Sequence, residues 1–349
     1  MTNITVGIAT TKRRDQLTQT LRQWEKQDRP PDRLVVCPAT TDDVDYQEIS
    51  TLSLPVDVVY GGRGSCIQRN TIIAHSENSD LIGFFDDDYY PARDYLRHTE
   101  RVFHQEPHLA VLTNHPMLDG VRGEGVSHEQ ARYWSEAWYQ ESLDRYELEP
   151  TYGGYGCNMV VRAATVRQHG VRFDERLPGY GWLEDIDFSR QLARHGHVAV
   201  CKYLEGVHLG TKRGRQSGLR LGYSQVINPL YMVRKGTMSA DYALKHVFRN
   251  LGANSLRSLR PEPWVDRRGR LLGNLLAFGH ALLGQFDPGH VEHLPSTAIS
   301  AQSVLQAALT RPGKPSRSTA APTSDCGTLF SSEKPRTRPP QRAPGSRSA

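Results

Sequence analysis

In Phe84-Phe85-Asp86-Asp87-Asp88-Tyr89-Tyr90-Pro91 an apolar run that begins at Leu81 ends in three carboxylates, two tyrosines and a proline. Aromatic and β-branched residues favour a buried strand, and a proline removes the donor that would continue it. The stretch therefore reads as a strand that empties into a charged turn. Three adjacent carboxylates repel one another without a counter-charge. Oxygen ligands on a loop suit Mg2+ or Mn2+, which keep positions open for phosphate oxygens. Taken alone, a solvated acidic turn is the plainer reading, so the flanking sequence has to choose between them.

Upstream, Ile4-Thr5-Val6-Gly7-Ile8-Ala9 reads as a first buried strand, followed by polar Thr10 to Asp15 and a helix with Leu17, Leu21 and Trp24 at helical spacing. Leu34-Val35-Val36-Cys37 is a second strand and Val56-Asp57-Val58-Val59-Tyr60 a third. Gly61-Gly62-Arg63-Gly64 lacks the Walker spacing and is read as a turn. A helix from Ile67 to about His75 then leads back to Leu81. Strands alternating with helices argue for an α/β chain with a mostly parallel sheet flanked on both faces. Ligands bind at the carboxyl ends of such strands, where Thr10, Arg13 and Asp86 to Asp88 fall and towards which Arg69 and Asn70 can point.

Downstream, residues 92–106 read as a polar-faced helix and Leu109-Ala110-Val111-Leu112 as a strand. The aromatics Tyr133, Trp134, Trp138, Tyr139 and Tyr146 fit an amphipathic helix packed on the body. Tyr152-Gly153-Gly154-Tyr155-Gly156-Cys157-Asn158 is a glycine-dense loop that lets backbone approach a neighbour closely, and it runs into the strand Met159-Val160-Val161. A second such loop, Pro178-Gly179-Tyr180-Gly181-Trp182-Leu183, opens onto the helix that starts Glu184-Asp185-Ile186-Asp187. Acidic residues in a first turn complement the helix dipole, but the aromatic lead-in favours a site. After the strand Val198-Ala199-Val200-Cys201 comes His208, then Lys212, Arg213 and Arg215, the pattern of a segment that closes over phosphates.

Composition is that of a globular enzyme, 38% hydrophobic and 23% charged over 349 residues. Five scattered cysteines without a CxxC pair suggest neither zinc nor a disulfide framework, and so a reducing cytoplasm. Met1-Thr2-Asn3-Ile4 enters a strand pattern at once, so no signal peptide is expected. The net charge of +5 is misleading: residues 311–349 hold eight Lys and Arg against two Asp and Glu. The remainder is close to neutral, and no nucleic-acid partner is expected.

Taken in order, the acidic turn at Asp86 to Asp88, Gly156-Cys157-Asn158-Met159, Gly181-Trp182-Leu183-Glu184-Asp185 and the later histidine resemble family 2 glycosyltransferases of the GT-A fold, over about residues 3–235. The resemblance implies a Rossmann-like GT-A domain that uses a nucleoside diphosphate sugar and Mn2+ or Mg2+. Asp88 and His208 would hold the metal. Thr10, Arg13, Arg69, Asn70, Asp86 and Asp87 would line the nucleotide-sugar pocket. Asn158, Trp182 and Glu184 would lie on the sugar and acceptor side, Lys212, Arg213 and Arg215 would contact phosphates, and Asp185 would be the catalytic base of an inverting transfer. Departures are Ala9-Thr10 where the family has Pro-Thr, and Cys37-Pro38-Ala39 where an aspartate pair reads the base. Asp42 and Asp43 come slightly later, and the nucleotide stays open. A nucleotidyltransferase would show a glycine-rich basic loop after the first strand, unlike Ala9-Thr10-Thr11-Lys12; an inactive glycan-binding scaffold would not need Asp86, Asp88 and Asp185.

Three units are expected: 1–238 as the GT-A domain, 239–294 as helices, and 295–349 as a basic Pro/Ser-rich tail too polar to offset ordering entropy. The uncharged stretch Leu271 to Phe286 is short of the ~20 residues needed to span a bilayer. Flanked by Arg267, Arg268 and Arg270, it is expected to touch an anionic membrane at most peripherally. The resemblance implies a saccharide or lipid-linked acceptor, in exopolysaccharide or surface-glycan synthesis at the inner face of the plasma membrane.

Overall fold

Strands buried on both faces carry near-continuous apolar sequence, and the first, β1 (Ile4–Thr10), is buried along almost its whole length. The computed structural model describes residues 2–137, 146–213 and 216–295. After β1 come α1 (Arg14–Trp24), β2 (Arg33–Pro38), the short α2 (Tyr46–Ser50), β3 (Val56–Val58) and α3 (Ser65–Ala74). Next are β4 (Leu81–Asp86), β5 (Tyr89–Pro91), α4 (Tyr95–Gln105), β6 (Leu109–Thr113), β7 (Leu118–Asp119) and α5 (His128–Ala137). The body closes with β8 (Leu148–Pro150), β9 (Asn158–Arg162), α6 (Ala163–His169), α7 (Glu184–Leu192), β10 (His197–Cys201) and β11 (Gly206–His208). Three longer helices follow: α8 (Gly218–Lys235), α9 (Ala240–Arg257) and α10 (Arg267–Leu282).

Eight strands form one sheet in the order β3-β2-β1-β4-β9-β6-β10-β8, with β9 and β8 antiparallel to their neighbours and the other pairings parallel. This is the mostly parallel α/β sheet expected. Period-2 alternation divides its side chains between two cores. Leu34, Val36, Phe85 and Val160 face α1 and α4, where Trp24 meets Phe85 edge-on at 4.6 Å. Val35, Phe84, Met159 and Val161 face the opposite way, towards α3, α6 and α7, where Phe84 meets Phe173 at 5.1 Å. A second, three-stranded sheet, β5-β11-β7, stands beyond the end of β4.

Several expectations change in detail. The third strand stops at Val58. The chain resumes as a strand immediately after the acidic turn, and Pro91 is tolerated because β5 is an edge strand. In α5 the buried residues are Ala131 and Ser135, whereas Tyr133 is 65% exposed, so the aromatics are not its packing face. Trp138 and Tyr139 lie outside the described residues, as does the expected tail from 296 onward.

The distal helices α9 and α10 pack on α8. Tyr231 and Met232 of α8 belong to the core of the large sheet, while Leu219, Tyr223, Val226 and Ile227 of the same helix pack with Val247 and Ala277. Helix α10 crosses α8 where a Cβ on Gly222 would lie 2.0 Å from the Arg270 carbonyl oxygen, so the backbones nearly touch. Arg267 is ion-paired to Glu262, and of the expected basic trio only Arg268 is exposed without an ion pair among the described residues. What is exposed instead is apolar: Leu244, Phe248, Leu256, Leu259, Leu275, Leu282 and Leu283. Among the described residues no helix is long and apolar enough to cross a membrane.

Candidate functional site

The small sheet assembles the acidic turn. Antiparallel pairing of β5 with β11 sets His208 opposite Tyr89, and parallel pairing of β11 with β7 sets it beside Asp119. Residues 88, 119 and 208 are thereby gathered at the carboxyl end of β4. Ligand atoms of Asp86, Asp88 and His208 lie within 4.8 Å of one another. His208 Nε2 is 3.3 Å from Asp88 Oδ1 and 3.8 Å from Asp86 Oδ2. On the other side of the ring Nδ1 meets Asp119 Oδ1 at 3.1 Å, and Tyr155 donates its hydroxyl to Asp119 Oδ2 at 3.1 Å. With Asp119 holding Nδ1, loss of the Nε2 proton would leave that nitrogen's lone pair facing Asp86 and Asp88, the carboxylate–histidine arrangement of metal sites.

Whether the residues fit a divalent cation can be judged from Asp88. Its side chain is 1% exposed, and its Oδ1 is buried without accepting a hydrogen bond among the described residues. A buried carboxylate oxygen with only an imidazole beside it, and a second carboxylate close by, asks for positive charge. Burial opposes a charge on His208, yet the surrounding Asp88 and Asp119 outweigh it and hold the imidazole well above its usual value. Burial likewise works against ionised Asp88, but His208 and Arg13 hold it below the usual carboxylate range. A protonated histidine supplies one unit of charge, and a metal ion would supply two on binding and displace that proton. The donor set fits Mn2+ or Mg2+.

Asp87 does not join this cluster. Its carboxylate is buried, accepts from Thr10 Oγ1 at 2.5 Å and pairs with Arg13 at 2.8 Å, while Thr20 donates to its carbonyl oxygen at 2.7 Å. Alternation across the turn sends it the opposite way from its neighbours. Thr10 and Asp87, expected on the nucleotide, therefore hold the turn in place. Arg13 also donates to the carbonyls of Arg213 at 2.9 Å and Thr211 at 3.2 Å, and the Thr211 N–H donates to Asp88 Oδ2 at 2.7 Å. The segment after His208 is sewn across Asp88. Lys212 is tied to the Gly120 carbonyl at 2.7 Å, and Arg213, 76% exposed, only reaches Asp15 at 3.7 Å. Arg215 lies outside the described residues.

The start of α7 forms the second half. Gly179, Gly181 and Leu183 all adopt left-handed φ, between 65° and 71°. Glycine takes this freely, whereas Leu183 is strained there, a cost found where a helix start must be aimed. The loop delivers Glu184 and Asp185 to Gly156. The Gly156 N–H donates to Asp185 Oδ2 at 2.9 Å, and the Ile186 N–H to Oδ1 at 2.8 Å. Burial raises the Asp185 carboxyl above its ordinary value although these two N–H groups hold it down. Arg69, buried in α3, joins the halves: it pairs with Glu184, reaches Asp86 Oδ1 at 3.2 Å and donates to the Gly156 carbonyl at 2.8 Å. A Cβ on Gly156 would sit 3.3 Å from both Arg69 and Asp185, so glycine keeps these contacts close. Burial, with Asp185 and Asp86 nearby, pushes Glu184 up to about 8 against the pull of Arg69.

Two expected residues are committed elsewhere. The Asn70 amide donates to the Phe173 carbonyl at 2.9 Å and to Glu175, and accepts the Phe173 N–H at 3.0 Å. Asn158, fully buried, accepts from Thr113 Oγ1 at 2.7 Å and the Asn114 N–H at 3.0 Å. Both are clips between elements, with their amides satisfied internally. Trp182 is half-buried, with its indole Nε1 lacking a partner among the described residues and Tyr180 at 6.4 Å. Sequence reasoning missed Asp119, Tyr155 and Thr211. Nothing local marks Asp119, because its strand is two residues long and its partner 89 residues away.

Residues 5–170 match the model of Glycosyl transferase family 2. The Pyrobaculum calidifontis mannosyltransferase PcManGT, solved with GDP-Man and Mn2+, aligns at a TM-score of 0.51 and 17% identity, over 88% of this chain and 85% of that one. S. aureus TarS 1–349 aligns at 0.48 and 18% identity, over 84% and 83% of the two chains. TarS 1–349 with UDP-GlcNAc aligns at 0.47 and 17%, over 80% and 81%. No curated protein matches the chain. The matched region spans Asp86, Asp88, Asp119 and Gly156, so residues 5–170 are similar to a Glycosyl transferase family 2 domain, and the chain shares the fold of PcManGT.

Proposed function

We propose that the protein transfers a sugar, with inversion and with Mn2+ or Mg2+, from a nucleoside diphosphate sugar to a hydroxyl of a saccharide or lipid-linked acceptor. The observation that carries this reading is the pairing of two built half-sites by one buried arginine: Asp86, Asp88 and His208 on one side, Asp185 on the other. Asp86, Asp88 and His208 would hold the cation, which supplies charge neutralisation of the leaving diphosphate. Arg69, tied to Asp86 and Glu184, keeps the carboxylate turn and the start of α7 at a fixed spacing. Asp185, with both oxygens aimed by backbone N–H groups and its pKa raised by burial, takes the proton of the acceptor hydroxyl onto Oδ1 or Oδ2 through a remaining lone pair. One base suffices for a single inverting displacement.

GDP-Man with Mn2+ in PcManGT and UDP-GlcNAc in TarS supply the donors to try first. Release of nucleoside diphosphate from a panel of UDP- and GDP-sugars, with and without Mn2+, tests the reading. Turnover that ignores Mn2+ removal and EDTA refutes the metal half. A place at the inner membrane face, in surface-glycan or exopolysaccharide synthesis, rests on the exposed apolar residues of α9 and α10 more than on basic charge.

A further inference from the structure

The loop between β8 and β9, residues 151–157, touches both half-sites. Tyr155 donates to Asp119 behind His208, and Gly156 donates to Asp185 while accepting from Arg69. The loop is also fixed to α7 through the Gly154 N–H, which donates to Ser189 Oγ at 2.9 Å. Its outer end is held from beyond the matched family region. The Tyr152 ring stacks on Tyr242 of α9 at 3.8 Å and 13°, and Arg190 of α7 lies over Tyr152 at 4.7 Å. The Ser239 N–H at the start of α9 donates to the Tyr152 hydroxyl at 2.7 Å. His246, one turn on, flanks Tyr242 at 4.7 Å.

We infer that α9 is part of the transfer site: through the Tyr152–Tyr242 stack it acts as a clamp on the 151–157 loop, and Tyr242 is a positioning residue for Asp185. Both tyrosine rings have a further neighbour, Arg190 over Tyr152 and a tilted His246 beside Tyr242, so the rings are engaged within the protein. Their contribution is to fix where Gly156 presents its N–H. The Tyr242 phenol is raised by burial and then by the charge of Asp185, which places the clamp within electrostatic reach of that carboxylate. The inference rests on the reading of Asp185 as the base only for its effect on turnover; the clamp itself is geometric.

The test uses the full chain carrying Tyr242→Leu, which keeps apolar bulk on α9 but cannot stack, and Tyr242→Phe, which stacks. Hydrogen exchange at the Gly156 amide, bonded to Asp185, should quicken roughly three- to ten-fold in the leucine variant, the worth of one stacked aromatic pair, and hold in the phenylalanine variant. Exchange in β1 and β4 and binding of UDP or GDP with Mn2+ should be unchanged in both, while turnover of the active donor falls only in Tyr242→Leu. Unaltered Gly156 exchange in Tyr242→Leu overturns the clamp, as does a loss of nucleotide binding in step with turnover. Asp185→Asn is measured alongside. If it keeps full turnover, the base assignment fails by itself, and the exchange result still decides the clamp.

Discussion

Asp119 offers the sharpest test of the metal half-site, because it holds His208 Nδ1, on the side of the ring away from Asp86 and Asp88. Its Oδ1 accepts from the Val121 N–H and from His208 Nδ1, each at 3.1 Å, and Oδ2 accepts from the Tyr155 hydroxyl. Asp119→Asn keeps the acceptor at Oδ1 and the shape, and the Tyr155 hydroxyl can turn to accept from the new amide. What it removes is the negative charge that makes the imidazole a better donor to a cation. Asp119→Ala removes the acceptor too and frees the ring to rotate. Losing such an outer partner typically costs 10–100-fold in metal affinity, about 1.4–2.8 kcal/mol. The asparagine variant belongs near the lower end and the alanine variant near the upper. Calorimetric titration of Mn2+ into protein saturated with UDP or GDP measures both. Affinity within two-fold of wild type in Asp119→Ala, with the fold intact, would show that His208 Nε2 does not ligate the cation.

Asp88→Ala is expected to abolish Mn2+-dependent nucleotide binding, since it deletes the buried oxygen that faces His208; calorimetry with UDP or GDP reads this, and unchanged affinity counts against the site. Asp185→Asn should keep nucleotide binding and lose turnover by ~10²–10⁴-fold, the range for removing a general base, whereas a helix-start role alone predicts ~1 kcal/mol of stability and little change in rate. Arg69→Met leaves buried Glu184 and part-exposed Asp86 without their cation, and urea unfolding should show about 1–3 kcal/mol lost, more than a typical surface arginine would give. In flotation with liposomes, exposed Phe248, Leu259, Leu275 and Leu282 predict binding that changes little with salt or anionic lipid; strong salt dependence would favour the basic-patch reading.

The sequence by itself determined the layered α/β body, because strands buried on both faces must be apolar without interruption and the helices between them must repeat every three to four residues. It also singled out Asp86, Asp88, Asp185 and His208 as candidates, each at the end of a strand or after a glycine-rich loop that can be read locally. Tertiary structure decided how they are used. Neighbours at Asp86, Asp87 and Asp88 look alike in one dimension, but the turn points the middle carboxylate at Thr10 and Arg13 and the outer two at His208. Asn70 and Asn158, expected at the pocket, hydrogen-bond to other elements, and which partners an amide meets depends on segments 44 to 103 residues away. Asp119 and Tyr242 carry no local signature at all. Hydrogen-bond register in a sheet of two- and three-residue strands, and one stacked ring pair, put them beside His208 and Tyr152, and contacts of that kind exist only once the chain has closed on itself.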